Sequence, residues 1–282
     1  MIKVVIIILG LIVVIIASFI IIGNLAFKSK VSGEVKELFK KSQETKLKVV
    51  TEEDIKYLPE PIQRYLRYSQ IIGKEEIKTV RLKQKGFIRT SEKQKWMLFE
   101  AEQYYTTNPP GFIWFATAKA APFLSIKVRD RFYEGRGNML VKLFGLKNIA
   151  DATGPEMDQG TLIRYLNEIM WFPTAYLSEY IQWEPIDSNS AKATISYQGV
   201  TASAVIHFNE KGELTNFVAE RYRDVGGKFV METWSTPIKG YKEIKGIRIP
   251  FKGEGVWNLS SGDFSYIRLE VTDIEYNNSS IY

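Results

Sequence analysis

Residues 79–89 read TVRLKQKGFIR. Val80, Leu82, Gly86 and Ile88 alternate with Arg81, Lys83, Lys85 and Arg89, a period of two. That spacing puts the apolar side chains on one face of a strand and the cations on the other. It is the first clear strand signal in the chain, and it decides the fold class.

The same pattern recurs downstream. Strands are expected at residues 95–106, 112–118, 123–133 and 139–144. After an interruption they resume at residues 192–197, 201–208, 213–223, 228–234, 246–257 and 264–276. Turn signals separate them, among them Asn108-Pro109-Pro110-Gly111, Ala121-Pro122 and Asn209-Glu210-Lys211-Gly212. Short connections argue for antiparallel neighbours. The expectation is a mainly β (α+β) domain, a curved antiparallel sheet or half-barrel of about ten strands. Residues 158–181 form its helical insertion.

Upstream, residues 2–22 are nearly uninterrupted Ile, Val and Leu. About 20 apolar residues cross a bilayer core, whereas a secretory signal has a run of only about 7–15. Residues 1–23 therefore read as a transmembrane helix, residues 24–50 as a basic juxtamembrane stalk and residues 51–282 as a single domain. The stalk carries seven lysines and three glutamates, which with Lys3 leaves only +1 of the net +6 for residues 51–282. Lys28, Lys30, Lys36, Lys40 and Lys41 thus point to anionic lipid headgroups and not to nucleic acid. Val31, Val35, Leu38 and Phe39 recur at helical spacing in the stalk, which reads either as a solvated spacer or as an amphipathic helix near the membrane. A further short helix starts at Pro61.

The chemistry open to this chain is restricted. It has no cysteine and a single histidine, His207, on the polar parity of its strand. Thiol nucleophiles, disulfides, thiolate metal sites and histidine-based triads are excluded. Gly135-Arg136-Gly137 lacks the third glycine of a dinucleotide fingerprint and reads as a hairpin turn. Asp151, Glu156 and Asp158 read as a solvated loop. No catalytic residue, cofactor or metal is assigned.

One polar residue stands out by parity. In residues 124–134 the even positions are Leu124, Ile126, Val128, Asp130, Phe132 and Glu134. Asp130 sits on the apolar face and needs a partner there. Arg164, Arg221 and Arg223 are the candidates. The stretch RYLNEIMWFP, residues 164–173, places Arg164 and Glu168 one helical turn apart, a pair worth about 0.2–0.5 kcal/mol if exposed. Leu162, Leu166, Ile169 and Met170 form its buried stripe, and Pro173 starts a second short helical turn. The aromatics Trp96, Tyr104, Tyr105, Phe112, Trp114, Phe115, Trp171, Phe172, Trp183, Trp234 and Trp257 fill a core or wall a cavity.

The succession LPEPIQRYL, PPGFIWFA, VRDRFYEGRGNMLVKLFGL, RYLNEIMWFPTAYL, QWEPID and GIRIPFKGEGVW resembles a bacterial family of uncharacterised, membrane-anchored proteins over residues 55–260. The resemblance implies one β-rich unit and no catalytic residue. At the level of fold the expected sheet is similar to the half-barrels of lipoprotein carriers, an analogy that cannot establish function. That likeness favours a bacterial cell-membrane protein with an extracytoplasmic domain, whereas the positive-inside rule favours the cytoplasmic side.

Three functions follow as expectations. The first is a hydrophobic or lipid-like ligand in the cavity of the sheet, with Trp114, Asp130, Arg164, Glu168, Trp171 and Arg221 around it. The second is a carboxylate-dependent envelope hydrolase, which requires Asp130 and Glu168 to face one cleft. The third is a protein-interaction module with no cavity.

Overall fold

The computed structural model describes residues 2–42, 48–122 and 124–282. Phe123, the expected start of the fourth strand, and residues 43–47 of the stalk lie outside them. The chain opens with helix α1, Ile2–Lys40, 39 residues long. At ~1.5 Å per residue it extends about 58 Å. Its apolar first half is exposed along its length and is long and apolar enough to cross a membrane. Helix α2 (Glu52–Ile55) is capped by Asp54, whose carboxylate accepts the Thr51 backbone N–H at 2.8 Å. Helix α3 (Glu60–Tyr68) carries Pro61 in its first turn and buries Ile62, Tyr65 and Leu66.

A single curled antiparallel sheet follows. Its first six strands are β1 (Thr79–Ile88), β2 (Met97–Thr107), β3 (Pro110–Ala121), β4 (Leu124–Tyr133), β5 (Arg136–Leu143) and β6 (Lys147–Ala152). Helix α4 (Pro155–Glu168) and two 3-10 turns, Ile169–Trp171 and Pro173–Leu177, interrupt the run. Then come β7 (Ile181–Asp187), β8 (Ser190–Tyr197), β9 (Val200–Phe208), β10 (Leu214–Val225) and β11 (Lys228–Ser235). The last are β12 (Ile238–Ile244), β13 (Ile247–Leu259) and β14 (Gly262–Tyr276). The spatial order is β6-β5-β4-β3-β2-β1-β14-β13-β11-β10-β9-β8-β7, with β12 paired to β13 off this path. The curled sheet makes a half-barrel.

The sheet has fourteen strands among the described residues, more than the ten or so expected. The additional ones are β6, β7 and β12, two of them at the edges. An edge strand packs weakly on both faces, so its sequence need not alternate. β6 is almost wholly exposed, and β7 carries Pro185, which an edge tolerates.

Helix α4 lies inside the curl, against β5, β9 and β10. It is buried on nearly every side, not along one stripe. Its approach to β5 is close at Gly137, where any side chain would overlap the Met157 carbonyl and Thr161. The second glycine of Gly135-Arg136-Gly137 therefore serves helix packing, while Glu134 and Gly135 form the hairpin turn with φ of 51° and 76°.

The convex face holds the main departure from expectation. Residues 24–40 are not a solvated spacer. Phe27, Val31, Val35, Leu38 and Phe39 pack on Tyr104, Ile113 and Leu140 of the sheet. Phe27 meets Phe115 edge-on at 5.7 Å, and Phe39 meets Tyr104 at 5.9 Å. Each such burial contributes about 1.5–3 kcal/mol, which explains why the helix continues past its apolar half. The helical spacing was legible; its partner is the protein's own sheet.

Candidate functional site

A cavity of about 590 Å³ lies between α4 and the concave face of the sheet. Trp114, Asp130, Arg164, Glu168, Trp171 and Arg221 all border it. Its walls are mainly apolar, with Ile126, Val128, Met139 and Val141 from β4 and β5 and Trp234 and Trp257 from β11 and β13.

Strand pairing places the polar group. Asp130 on β4 stands opposite Trp114 on β3 and Met139 on β5, so all three project inward. Arg164 on α4 reaches across, and its Nη1 donates to Asp130 Oδ2 at 2.7 Å. Its Nε donates to Glu168 Oε1 at 2.8 Å. The guanidinium lies 4.8 Å from the centre of the Trp114 ring and 5.1 Å from that of Phe112. A cation over an aromatic face and between two carboxylates is well held even away from water.

Glu168 is fixed from its other side as well. Its Oε2 accepts from Gln103 Nε2 at 2.8 Å and from Tyr105 Oη at 3.0 Å. Gln84 Nε2 donates to Gln103 Oε1 at 3.3 Å, and Trp114 Nε1 donates to Gln84 Oε1 at 2.9 Å. A chain of hydrogen bonds thus runs from Trp114 through Gln84, Gln103, Glu168 and Arg164 to Asp130. Burial works against the charge of Arg164, but Glu168 and Asp130 outweigh it and raise its pKa. Burial also pushes the Glu168 carboxyl above its usual range, with Arg164, Tyr105 and Gln103 opposing.

Gln84, Gln103 and Tyr105 are the residues that parity could have found. On β1 the inward series is Val80, Leu82, Gln84, Gly86 and Ile88; on β2 it is Met97, Phe99, Ala101, Gln103 and Tyr105. Each glutamine is a polar residue at an apolar position, the same signal that marks Asp130.

The aromatic cluster divides. Trp114, Trp171, Trp234 and Trp257 border the cavity. Tyr105, Phe112 and Phe172 belong to the core, while Tyr104 and Phe115 face α1 on the convex side. Trp96 stacks with Arg89 and Arg268, and Trp183 with Tyr176. Trp171 is almost fully buried and bounds the cavity from within the core.

On the far wall, Arg221 and Arg223 follow Phe217 and Ala219 on the inward parity of β10. The Arg221 guanidinium lies 4.7 Å from the Trp234 ring, and that of Arg223 lies 5.7 Å from Phe264. Among the described residues neither forms an ion pair, not even Arg221 with Glu232, which stands opposite it in register. Arg221 Nε is buried and has no hydrogen-bond partner among the described residues. The buried acids at α4 are spoken for: Asp158 accepts the Gly137 N–H at 2.7 Å and pairs with Arg136 at 2.9 Å.

No curated protein matches the chain in sequence. Among solved structures, a LolA superfamily protein from Nitrosomonas europaea is similar at 11% identity and TM-score 0.37, covering 77% of this chain and 94% of the other. The sequence model of a family of unknown function, DUF6544, matches residues 48–269, and the chain belongs to that family.

Proposed function

We propose that this protein is anchored in a membrane by α1 and binds an amphiphile, a molecule with an apolar body and an anionic head, in the cavity of its half-barrel. The observation that carries this reading is the cavity itself. At about 590 Å³ it is within the range of small-molecule sites, and apolar walls with a few convergent polar groups are what such sites require. The apolar body would lie along Ile126, Val128, Met139 and Val141, with Trp114 and Trp171 behind it. Arg221 and Arg223, two inward cations that have no acidic partner among the described residues, would receive the head.

The Asp130–Arg164–Glu168 cluster supports a structural role beside this one. Both carboxylates border one cavity, as the hydrolase alternative requires. Yet Glu168 accepts three hydrogen bonds and Asp130 Oδ2 is bound to Arg164, so the cluster reads as a lock between α4 and the sheet. A cavity of this size also argues against an interaction module without a ligand site.

The headgroup-binding lysines are narrowed in this reading. Measured along the helix from Gly23, Lys28 and Lys30 lie about 8 and 10 Å away, and Lys36, Lys40 and Lys41 about 20–27 Å. Only the first two stay within headgroup reach if the helix stands upright, and Lys41 pairs with Glu134 instead.

The four tryptophans around the cavity supply the test. Titrating the full chain with a brominated long-chain fatty acid is expected to quench their fluorescence saturably. Quenching that rises linearly without saturation contradicts the reading.

A further inference from the structure

We infer that the mouth of the cavity rests on the bilayer that α1 enters, so that the cavity opens into the lipid leaflet and not into bulk water. The contact with lipid stands on its own observations; that a lipid-like molecule passes through it rests on the reading above.

Five hairpin turns gather at one end of the half-barrel, those joining β1–β2, β3–β4, β5–β6, β10–β11 and β13–β14. The registers place four of them together: Ile88 pairs with both Met97 and Ile267, Ala121 with Leu124, and Ile126 with Leu143. The β10–β11 hairpin joins them across the cavity through Phe229. The cavity reaches this end, where Ile88, Ile126, Ile149 and Phe229 border it.

Helix α1 leaves its apolar half at the same end. A side chain at Gly23 would overlap Leu146 in the β5–β6 turn, and Gly145 sits against the Gly23 backbone. From there the helix runs along β4 toward the far end: Glu34 pairs with Arg129 and Arg131, and Glu37 with Tyr133. The last apolar turn of α1 and the rim of the cavity are therefore level.

The rim has the composition of a lipid-facing surface. Turn tips are ordinarily polar. Here Leu124 is 38% exposed, Leu146 43%, Ile149 56%, Val225 48% and Phe229 38%. Exposed lysines flank them, Lys93, Lys119, Lys147 and Lys228. Apolar tips with four exposed lysines, against the acids Glu92, Asp224 and Asp263 on the same turns, match the boundary between acyl chains and headgroups. The turns at β1–β2 and β13–β14 are polar and would stay in the headgroup layer.

The absence of cysteine allows a clean test. Leu146→Cys, Val225→Cys and Gln198→Cys are each labelled with a fluorophore in the full chain reconstituted into anionic lipid vesicles. Gln198 lies against Gly135, at the opposite end. The inference expects the labels at 146 and 225 to be quenched by nitroxide-bearing lipids and shielded from aqueous iodide, and the label at 198 to behave in the reverse way. It is overturned if both rim labels respond to iodide as the 198 label does, or if only the 146 label meets lipid. Shielding from both quenchers also overturns it, because a protein then covers the rim. Amphiphile binding with an iodide-exposed rim would remove this inference alone. A lipid-quenched rim without amphiphile binding would remove only the ligand reading.

Discussion

Arg164 Nη1 donates to Asp130 Oδ2 at 2.7 Å and so ties α4 to β4 on the concave side of the sheet. The two residues beside Asp130 do the opposite work. Arg129 and Arg131 point to the convex side and pair with Glu34 of α1 at 3.1 and 3.4 Å. One tripeptide on β4 thus fastens both the inner helix and the outer one.

Removing the cation between the two acids leaves both carboxylates unpaired. Arg164→Met is expected to cost about 3–5 kcal/mol, the scale for breaking a buried pair. The triple variant Arg164→Met, Asp130→Asn, Glu168→Gln removes the uncompensated charge and is expected to recover most of that loss. Urea unfolding in detergent measures both. Equal destabilisation of the two variants would contradict an electrostatic lock.

Glu168 gives a pH signature. Burial holds its carboxyl above the ordinary 4.5 in the folded chain. A group raised in this way favours the fold while protonated; the advantage is complete below the unfolded value and is lost as pH rises through the folded one. Glu168→Gln has no such loss. The stability advantage of the wild-type chain over Glu168→Gln is therefore expected to shrink as pH rises above 4.5 and then to level off. Unfolding midpoints across a pH series would show it, and a difference that grows with pH contradicts it.

Glu34 should matter more than a surface glutamate. Its partner Arg129 keeps only 3% of its side-chain surface exposed, beneath the helix. Glu34→Ala leaves that guanidinium without its carboxylate and is expected to cost about 3 kcal/mol. Faster backbone hydrogen exchange in residues 27–39 would report the loosened helix. Unchanged exchange there would contradict the docking.

How far these features are legible in sequence depends on how many faces a residue must satisfy. β4 declared Asp130 because one face of that strand is apolar throughout, and RYLNEIMWFP supplied its partner one helical turn from Glu168. Gln84 and Gln103 carried the same parity signal, but neutral amides raise no charge-burial alarm. The docked half of α1 was harder to read: Phe27, Val31, Val35 and Leu38 show a helix, and nothing local tells a membrane surface from the protein's own sheet. β6 and β7 satisfy little on either face, so their sequences carry almost no pattern.

Arg221 is expected to act on the ligand more than on the fold, since it forms no ion pair among the described residues. Arg221→Met should weaken binding of an anionic amphiphile by about tenfold, near the lower end of the 1.5–3 kcal/mol typical of a charged hydrogen bond. Affinity for a neutral amphiphile of the same chain length should hardly change. Titration calorimetry with the two ligands separates these outcomes, and an equal loss for both would contradict a head-binding role.

Native mass spectrometry of the full chain purified in detergent tests the central claim most directly. Val128 borders the cavity from β4 and is only partly buried at the edge of the core, so Val128→Trp is expected to fill the space without removing any partner of the Arg164 lock. The account predicts one co-purifying amphiphile per wild-type chain and none on the folded Val128→Trp chain. A wild-type chain free of ligand, or one whose ligand survives that substitution, would contradict it.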